Sequence, residues 1–167
     1  MAFKEINIRE VRENVVSLIS DQWGLLSAGD EKSYNTMTVS WGAVGELWGK
    51  DVSFVFIRPQ RHTLSFVEHS DFYSLSFYAP EYKSALALCG SKSGRDIDKA
   101  KETGLTPLFD RDAPYFEQAK LVLICRKMAV QDIDPKGFID EKIMDTYTLK
   151  DFHKMFVGEI TNVLIYE

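Results

Sequence analysis

The chain has 167 residues, of which 45% are hydrophobic and 27% are charged, and this ordinary balance excludes an intrinsically disordered chain. Its net charge of -5 argues against a nucleic-acid partner, because phosphate backbones are bound by clustered lysines and arginines. No apolar run approaches the roughly 20 residues of a membrane span, and the charged N-terminus lacks the apolar run of a signal peptide, so we expect a cytoplasmic protein without a membrane partner.

Nothing in the sequence marks a domain boundary, since it has no internal repeat, no low-complexity segment and no linker rich in proline, glycine or serine. We therefore expect a single domain over residues 1–167. Short apolar runs rich in valine, isoleucine and aromatic residues predict strands. These runs cover residues 15–19, 23–27, 37–41, 52–57, 72–77, 121–131 and 155–166.

Helices are predicted between the strands, from apolar spacing and from prolines and glycines near their ends. They cover residues 61–69, 80–88 and 95–103, with a further helical turn within residues 135–144. Glycines at or within the predicted strands favour a curved, closed sheet. The predicted fold class is therefore mainly β, an antiparallel β-barrel with a few surrounding helices.

The first segment that could carry chemistry is the sequence NTMTVSWG, at the predicted strand 37–41. Side chains alternate across a strand, so Thr36, Thr38 and Ser40 share one face. Such a row of hydroxyls can hydrogen-bond the polar edge of a flat heterocycle or a phosphate. The same pattern is typical of the solvent-facing side of an ordinary strand, and the residues alone leave both interpretations open.

A cluster of cations follows the predicted strand 52–57, in the sequence RPQRHT. Arg58 and Arg61 lie just before a predicted helix, whose free N–H groups and dipole favour an anion. Guanidinium groups add charge-assisted hydrogen bonds, so a phosphate would fit here. The alternative is an exposed basic loop without a ligand, and His62 by itself indicates little.

A loop rich in glycine and serine follows the predicted helix 80–88, in the sequence CGSKSGRD. Its backbone N–H groups are typical of anion-binding loops. The loop lacks both the GxxxxGK[ST] and the GxGxxG pattern, so it predicts neither a nucleotide-hydrolysing P-loop nor a Rossmann turn.

Other kinds of catalytic site have no support in the sequence. It contains no HExxH, no GxSxG and no spaced pair of histidines that would predict a metal site. Cys89 and Cys125 match no zinc or haem spacing, and we expect both to be free thiols. Cys125 lies within the apolar run LVLICRKMAV and is expected in the core.

Taken together, the segments NTMTVSWG, RPQRHT, CGSKSGRDIDK and FVGEI resemble, in their order and spacing, the flavin reductase-like family and its flavoredoxin branch. The resemblance spans roughly residues 15–165. It implies an antiparallel split β-barrel that binds FMN. It also implies a homodimer with the flavin near the subunit interface.

The resemblance further implies roles for individual residues. The strand would lie along the flavin ring and ribityl chain, the RPQRHT turn would surround the phosphate, and the glycine-rich loop would close over the flavin. Lys99 would add a more distant positive charge, and His153 would lie near the ring. The implied FMN-binding residues are Asn35, Thr36, Met37, Thr38, Val39, Ser40, Trp41, Arg58, Pro59, Gln60, Arg61, Thr63, Cys89, Gly90, Ser91, Ser93, Gly94, Lys99 and His153.

A bound flavin performs the redox chemistry itself, so no catalytic side chain is assigned. The first hypothesis is an NAD(P)H:flavin oxidoreductase that passes hydride from the nicotinamide to FMN. The alternative is a flavoredoxin-type electron-transfer protein, with tightly bound FMN and a redox protein partner. A third interpretation is a binding module for another flat ligand, such as haem or a deazaflavin.

Overall fold

The structure, a computed structural model, describes residues 2–167. Ten strands lie within these residues. They are β1 (Phe3–Ile6), β2 (Gly24–Gly29), β3 (Tyr34–Val39), β4 (Gly42–Leu47), β5 (Lys50–Ile57), β6 (Phe72–Phe77), β7 (Pro107–Leu108), β8 (Tyr115–Phe116), β9 (Leu121–Asp132) and β10 (Lys154–Tyr166).

The helices are short and connect the strands. They are α1 (Val15–Ser17), which continues into a π-helical turn (Leu18–Gln22), α2 (Thr63–His69), α3 (Lys83–Ser91) and α4 (Lys99–Thr103). Turns of 3-10 helix cover Ile8–Glu10, Pro80–Tyr82, Pro135–Gly137 and Glu141–Tyr147. None of the helices in residues 2–167 is long and apolar enough to span a bilayer.

The main sheet follows the order β3-β2-β6-β9-β10-β5-β4, with β1 paired to β10. Every pair in it is antiparallel, which confirms the predicted mainly β class with few helices. β3 and β4 form the two ends of this order. Among residues 2–167 no pairing joins them, so hydrogen bonding does not close the sheet into the expected barrel.

The sheet is nevertheless strongly curved. β3 and β5 stand five positions apart, which corresponds to roughly 24 Å in a flat sheet. Yet Met37 of β3 and Phe56 of β5 line the same cavity, whose volume is about 220 Å³. The curvature therefore brings β3 and β5 together at one site.

The core lies on both faces of the central strands. Leu123 and Cys125 of β9 belong to the main cluster on one face, together with residues of β2, β3, β5, β6 and β10. Val122 and Ile124 belong to a second cluster on the opposite face, which includes Leu86 of α3. Because β9 is buried on both faces at its start, its sequence there is continuously apolar rather than alternating.

A polar group is embedded in the main cluster. The Tyr73 hydroxyl lies 2.8 Å from Ser53 Oγ, which donates in turn to Cys125 Sγ at 3.2 Å. A Cβ atom at Gly158 would lie only 2.4 Å from the Tyr73 hydroxyl oxygen. Cys125 is a free, fully buried thiol, as predicted, and burial raises its pKa to about 12.

The predicted strand at residues 15–19 is wrong. The Asn14 side chain accepts hydrogen bonds from the N–H groups of Val16 and Ser17, and this cap begins α1. Val15, Val16 and Ile19 favour a strand by composition. The observed helical turns instead bury the side chains of Leu18 and Ile19.

Other boundaries also differ from the prediction. The strand expected at residues 37–41 runs from Tyr34 to Val39, so Ser40 and Trp41 lie beyond it. The helix expected at residues 95–103 begins only at Lys99, where the Asp98 side chain caps it. The turn expected within residues 135–144 forms as two separate 3-10 turns, and strands β1, β4, β7 and β8 were not predicted.

Candidate functional site

A cavity of about 220 Å³ opens where the curved sheet brings β3 and β5 together. We call it the strand cavity. It is lined by Met37, Thr38, Val39, Ser40, Trp41, Phe56, Arg58, Arg61 and His153. Two aromatic side chains, a histidine and two arginines in one concavity can take a flat heterocycle with polar edges.

The hydroxyl groups of β3 are mostly engaged within the protein. Thr36 is 2% exposed, accepts a hydrogen bond from Ser27 and donates to a backbone carbonyl of β2. Thr38 donates to the carbonyl of Leu86 in α3. Ser40 is exposed at the end of the row, so it is the hydroxyl of this row that remains available to a ligand.

A second cavity, of about 130 Å³, lies between the start of α2 and the segment that follows α3. We call it the loop cavity. Its lining residues are Asn35, Gln60, Arg61, His62, Thr63, Gly90, Ser91, Lys92, Ser93, Gly94 and Lys99. Because Arg61 lines both cavities, the two adjoin at its side chain.

Two cationic side chains, the partly buried Arg61 and the buried Lys99, lie at the loop cavity. Arg61 Nη1 donates to the carbonyl of Gly90 at 2.7 Å, and Lys99 Nζ donates to the carbonyls of Cys89 at 2.8 Å and Thr36 at 2.7 Å. Neither side chain forms an ion pair with a carboxylate of residues 2–167. Cations that are removed from water without a counterion indicate a site for an anion.

The pKa values follow from this arrangement. Burial lowers the pKa of Lys99 to about 8, the nearby Cys89 thiol opposes that shift, and the Arg61 charge adds to it. Burial also lowers the pKa of Arg61. An anion in the loop cavity would favour the charged form of both side chains.

One polar atom at the loop cavity has no partner. His62 Nδ1 is buried and makes no hydrogen bond with any group of residues 2–167. Burial, followed by the charges of Arg95 and Lys99, lowers the pKa of His62. A phosphate oxygen in the loop cavity would give this nitrogen a hydrogen-bond partner and would lie beside both cations.

The segment that closes the loop cavity is packed tightly against β3. A Cβ atom at Gly94 would lie 2.0 Å from Asn35 Oδ1, so the backbone approaches Asn35 as only glycine allows. Asn35 Nδ2 donates to Thr63 Oγ1 at 2.9 Å. Asn35 therefore ties together β3, the start of α2 and the glycine-rich loop.

Arg58 points away from the loop cavity. Its guanidinium pairs with Asp151 at 2.5 Å and donates to the carbonyl of Thr146 at 3.2 Å. Gln60 Nε2 donates to the same carboxylate at 2.7 Å. Hydrogen bonds from Gln60 and Arg58 lower the pKa of Asp151, and together the two side chains anchor the segment that precedes β10.

His153 forms part of the wall of the strand cavity. Its ring centroid lies 5.0 Å from that of Trp41 and 6.5 Å from that of Phe56, and its Nδ1 atom lies 2.8 Å from the Tyr147 hydroxyl. Burial and the charge of Arg58 lower the pKa of His153 to about 4, against an opposing effect of Asp151. The ring is therefore neutral near pH 7.

The structure brings together most of the predicted site residues. All of them line one of the two cavities except Thr36, Pro59 and Cys89. Cys89 is buried and contributes its carbonyl to the cations rather than its thiol to a cavity.

Sequence reasoning missed three lining residues, Phe56, His62 and Lys92. Phe56 alternates with the core residues Val55 and Ile57 along β5, and this alternation is the one signal that could have placed it on the opposite face. Within residues 2–167 no group of three or more histidines, cysteines or carboxylates is arranged to hold a metal ion.

Comparison with protein families gives one match. The family described as flavin reductase like domain matches residues 16–167. Comparison with curated protein sequences gives no significant match.

Solved structures with the same fold include flavin-binding proteins. An FMN-binding domain of a flavin reductases-like enzyme from Shewanella baltica OS155 has a TM-score of 0.70 at 15% identity, covering 98% of this chain and 77% of that chain. The flavoredoxin of Desulfovibrio vulgaris (Miyazaki F) has a TM-score of 0.67 at 22% identity, covering 87% and 69%. An NADH:FAD oxidoreductase of Streptomyces globisporus C-1027, in complex with NAD and FAD fragments, has a TM-score of 0.65 at 12% identity, covering 87% and 74%. At these identities the likeness establishes the fold.

Proposed function

Because the chain belongs to the flavin reductase-like domain family, we propose that it binds FMN across the two adjoining cavities. The flavin ring would occupy the strand cavity and the phosphate the loop cavity. The observation that carries this proposal is the pair Arg61 and Lys99, two cations without a carboxylate partner in residues 2–167, beside a cavity with aromatic walls. A ligand with a flat ring at one end and a phosphate at the other satisfies both cavities.

The residues of the site fit such a ligand. Arg61, Lys99 and the unpartnered His62 Nδ1 supply charge and hydrogen-bond donors to the phosphate, and Ser91 and Ser93 add hydroxyl groups. Trp41, Phe56 and His153 bound the ring. The role proposed for Arg58 changes with its pairing to Asp151: it borders the ring and anchors the chain rather than holding the phosphate.

The proposed activity is that of an NAD(P)H:flavin oxidoreductase. When bound, FMN accepts hydride from a nicotinamide and so supplies the redox chemistry. The protein binds and orients the ring, excludes water from its buried side and leaves the side next to the half-exposed Trp41 open to a second molecule. The NADH:FAD oxidoreductase with the same fold supports this reading.

A flavoredoxin-type electron carrier is the second candidate, favoured by the likeness to two flavoredoxins, of Desulfovibrio vulgaris (Miyazaki F) and Methanosarcina acetivorans. In that case FMN stays bound and exchanges electrons with a protein partner.

The remaining parts of the proposal are a single domain over residues 1–167, a homodimer and a cytoplasmic location. The exposed apolar side chains of Ile139, Ile143, Met144 and Leu149 support an interface.

One spectroscopic experiment distinguishes these functions. We expect the purified protein to bind FMN, and the flavin absorbance near 450 nm to bleach when NADH or NADPH is added without oxygen. FMN that survives gel filtration but stays oxidised with both donors would favour the electron carrier. A protein that binds no FMN would overturn the proposed function.

The affinity for FMN should depend on pH through Lys99. A phosphate monoester is a dianion above about pH 6, so between pH 7 and pH 9 its own charge is constant. Lys99, whose pKa is about 8 without ligand, loses its charge over this range, and the dissociation constant should rise, by about tenfold at most. Isothermal titration of FMN at a series of pH values measures the effect.

The matched variant for this experiment is Lys99→Arg, because its guanidinium keeps its charge throughout the range. We expect the pH dependence to disappear in this variant, even if its affinity at pH 7 is lower. An equal rise of the dissociation constant in both proteins would show that Lys99 is not the group responsible.

A further inference from the structure

Tyr147 is a buried side chain that contacts two residues of the strand cavity, His153 through a hydrogen bond and Arg58 through its ring. It is 5% exposed and does not line the strand cavity. Its ring stacks on Phe138, with a centroid distance of 6.0 Å and an interplanar angle of 20°, and lies 4.9 Å from Phe152. The Arg58 guanidinium, which pairs with Asp151, lies 5.2 Å from the Tyr147 ring centroid. Tyr147 is therefore fixed in position before any ligand arrives.

The hydrogen bond between Tyr147 and His153 determines where the imidazole proton lies. The Tyr147 hydroxyl and His153 Nδ1 are 2.8 Å apart, and the buried ring is neutral, so one nitrogen carries the hydrogen. If Nδ1 donated, the phenol hydrogen would need another acceptor, and residues 2–167 offer it none. Since buried donors are almost always paired, the phenol donates to Nδ1 and the hydrogen lies on Nε2.

We infer that Tyr147 is a positioning residue, which locks His153 in the Nε2–H tautomer and so makes it a hydrogen-bond donor to the ligand of the strand cavity. Nε2 makes no hydrogen bond to any group of residues 2–167, and His153 is part of the cavity wall. The ligand atom that it selects is an acceptor, such as a carbonyl oxygen or an unprotonated ring nitrogen. The identity of that ligand as a flavin rests on the proposed function, whereas the tautomer does not.

The inference is tested first on the protein without flavin, by long-range proton–nitrogen NMR of the histidine rings at pH 7. We expect His153 to carry its hydrogen on Nε2, and the Tyr147→Phe variant to shift toward a mixture of the two tautomers. A hydrogen on Nδ1 in the unmodified protein, or the same single tautomer in both proteins, would overturn the inference. The matched control is Tyr166→Phe, since Tyr166 is exposed at the end of β10 and its ring meets Phe3 edge to face, away from the histidine.

The second readout is the affinity for FMN. Tyr147→Phe keeps the stacked ring and removes one hydroxyl, so we expect the FMN dissociation constant to rise about fivefold while Tyr166→Phe leaves it unchanged. An unchanged constant in Tyr147→Phe would overturn the donor role of His153 toward the ligand. If the unmodified protein bound no FMN, the proposed function would fail, and the tautomer measurement would still decide the role of Tyr147.

Discussion

Replacing Arg61 with alanine is expected to weaken FMN binding by about 1–3 kcal/mol, which corresponds to about a 5- to 150-fold higher dissociation constant. Arg61 lines both cavities, and its guanidinium is partly buried with no carboxylate of residues 2–167 to pair with. Its charge is therefore available to the phosphate and is not weakened by a competing ion pair. Fluorescence titration of FMN measures the change.

The matched control is Arg95→Ala. Arg95 lies in the glycine-rich loop, where it is exposed and does not line the loop cavity. Its replacement removes the same charge as Arg61→Ala. We expect this variant to bind FMN almost normally. Riboflavin, which lacks the phosphate, should lose less affinity than FMN in Arg61→Ala. Equal losses for FMN and riboflavin would place the phosphate elsewhere.

Replacing Gly158 with alanine is expected to lower the free energy of unfolding by about 1–3 kcal/mol, the usual cost of overpacking a core. The added Cβ would lie 2.4 Å from the Tyr73 hydroxyl oxygen, and Tyr73 is fully buried in the main core cluster. Tyr73 cannot yield easily, because its hydroxyl is bonded to Ser53. Urea denaturation followed by circular dichroism measures the loss.

Gly45→Ala is the control, since Gly45 also lies in a strand but an added Cβ there would meet nothing within 4 Å. We expect its stability to be unchanged or up to about 1 kcal/mol higher. In the Gly158→Ala background, Tyr73→Phe should cost less than it does alone, because it removes the nearest of the three clashing atoms and leaves the two ring carbons at 2.7 and 2.9 Å. Additive losses from the two changes would contradict the proposed clash.

The strands that the sequence predicted best are those rich in apolar and aromatic residues. The run Phe72–Phe77 is predicted with its observed bounds, and β9 and β10 are found to within one residue at each end. β4, with two glycines and no buried residue, has no such signal. At residues 15–19 composition favoured a strand, and the Asn14 cap was the local signal for a helix.

The residues of the candidate site likewise fall into those that the sequence could predict and those that it could not. Arg61 and Lys99 could be found because each lies in a local motif rich in cations, glycine or serine. The pairing of Arg58 with Asp151 could not, since the two residues are 93 positions apart and only the fold brings them together. His62 is a single histidine without a distinctive neighbour pattern, and only the cavity beside it gives its unpartnered nitrogen a meaning.

The placement of Trp41 has an optical consequence. The chain has three tryptophans, and Trp41 is the one that lines the strand cavity, with 49% of its surface exposed. Trp23 lies under the Lys83 ammonium group, and Trp48 is exposed in the turn between β4 and β5. Indole emission overlaps the near-ultraviolet absorption of a flavin, so a bound flavin can quench tryptophan fluorescence by energy transfer. This transfer falls steeply with distance, and Trp41 is the tryptophan next to the cavity, so its quenching should be strongest when the cavity is filled. The protein thus contains an intrinsic fluorophore that reports occupancy of its own site without a label.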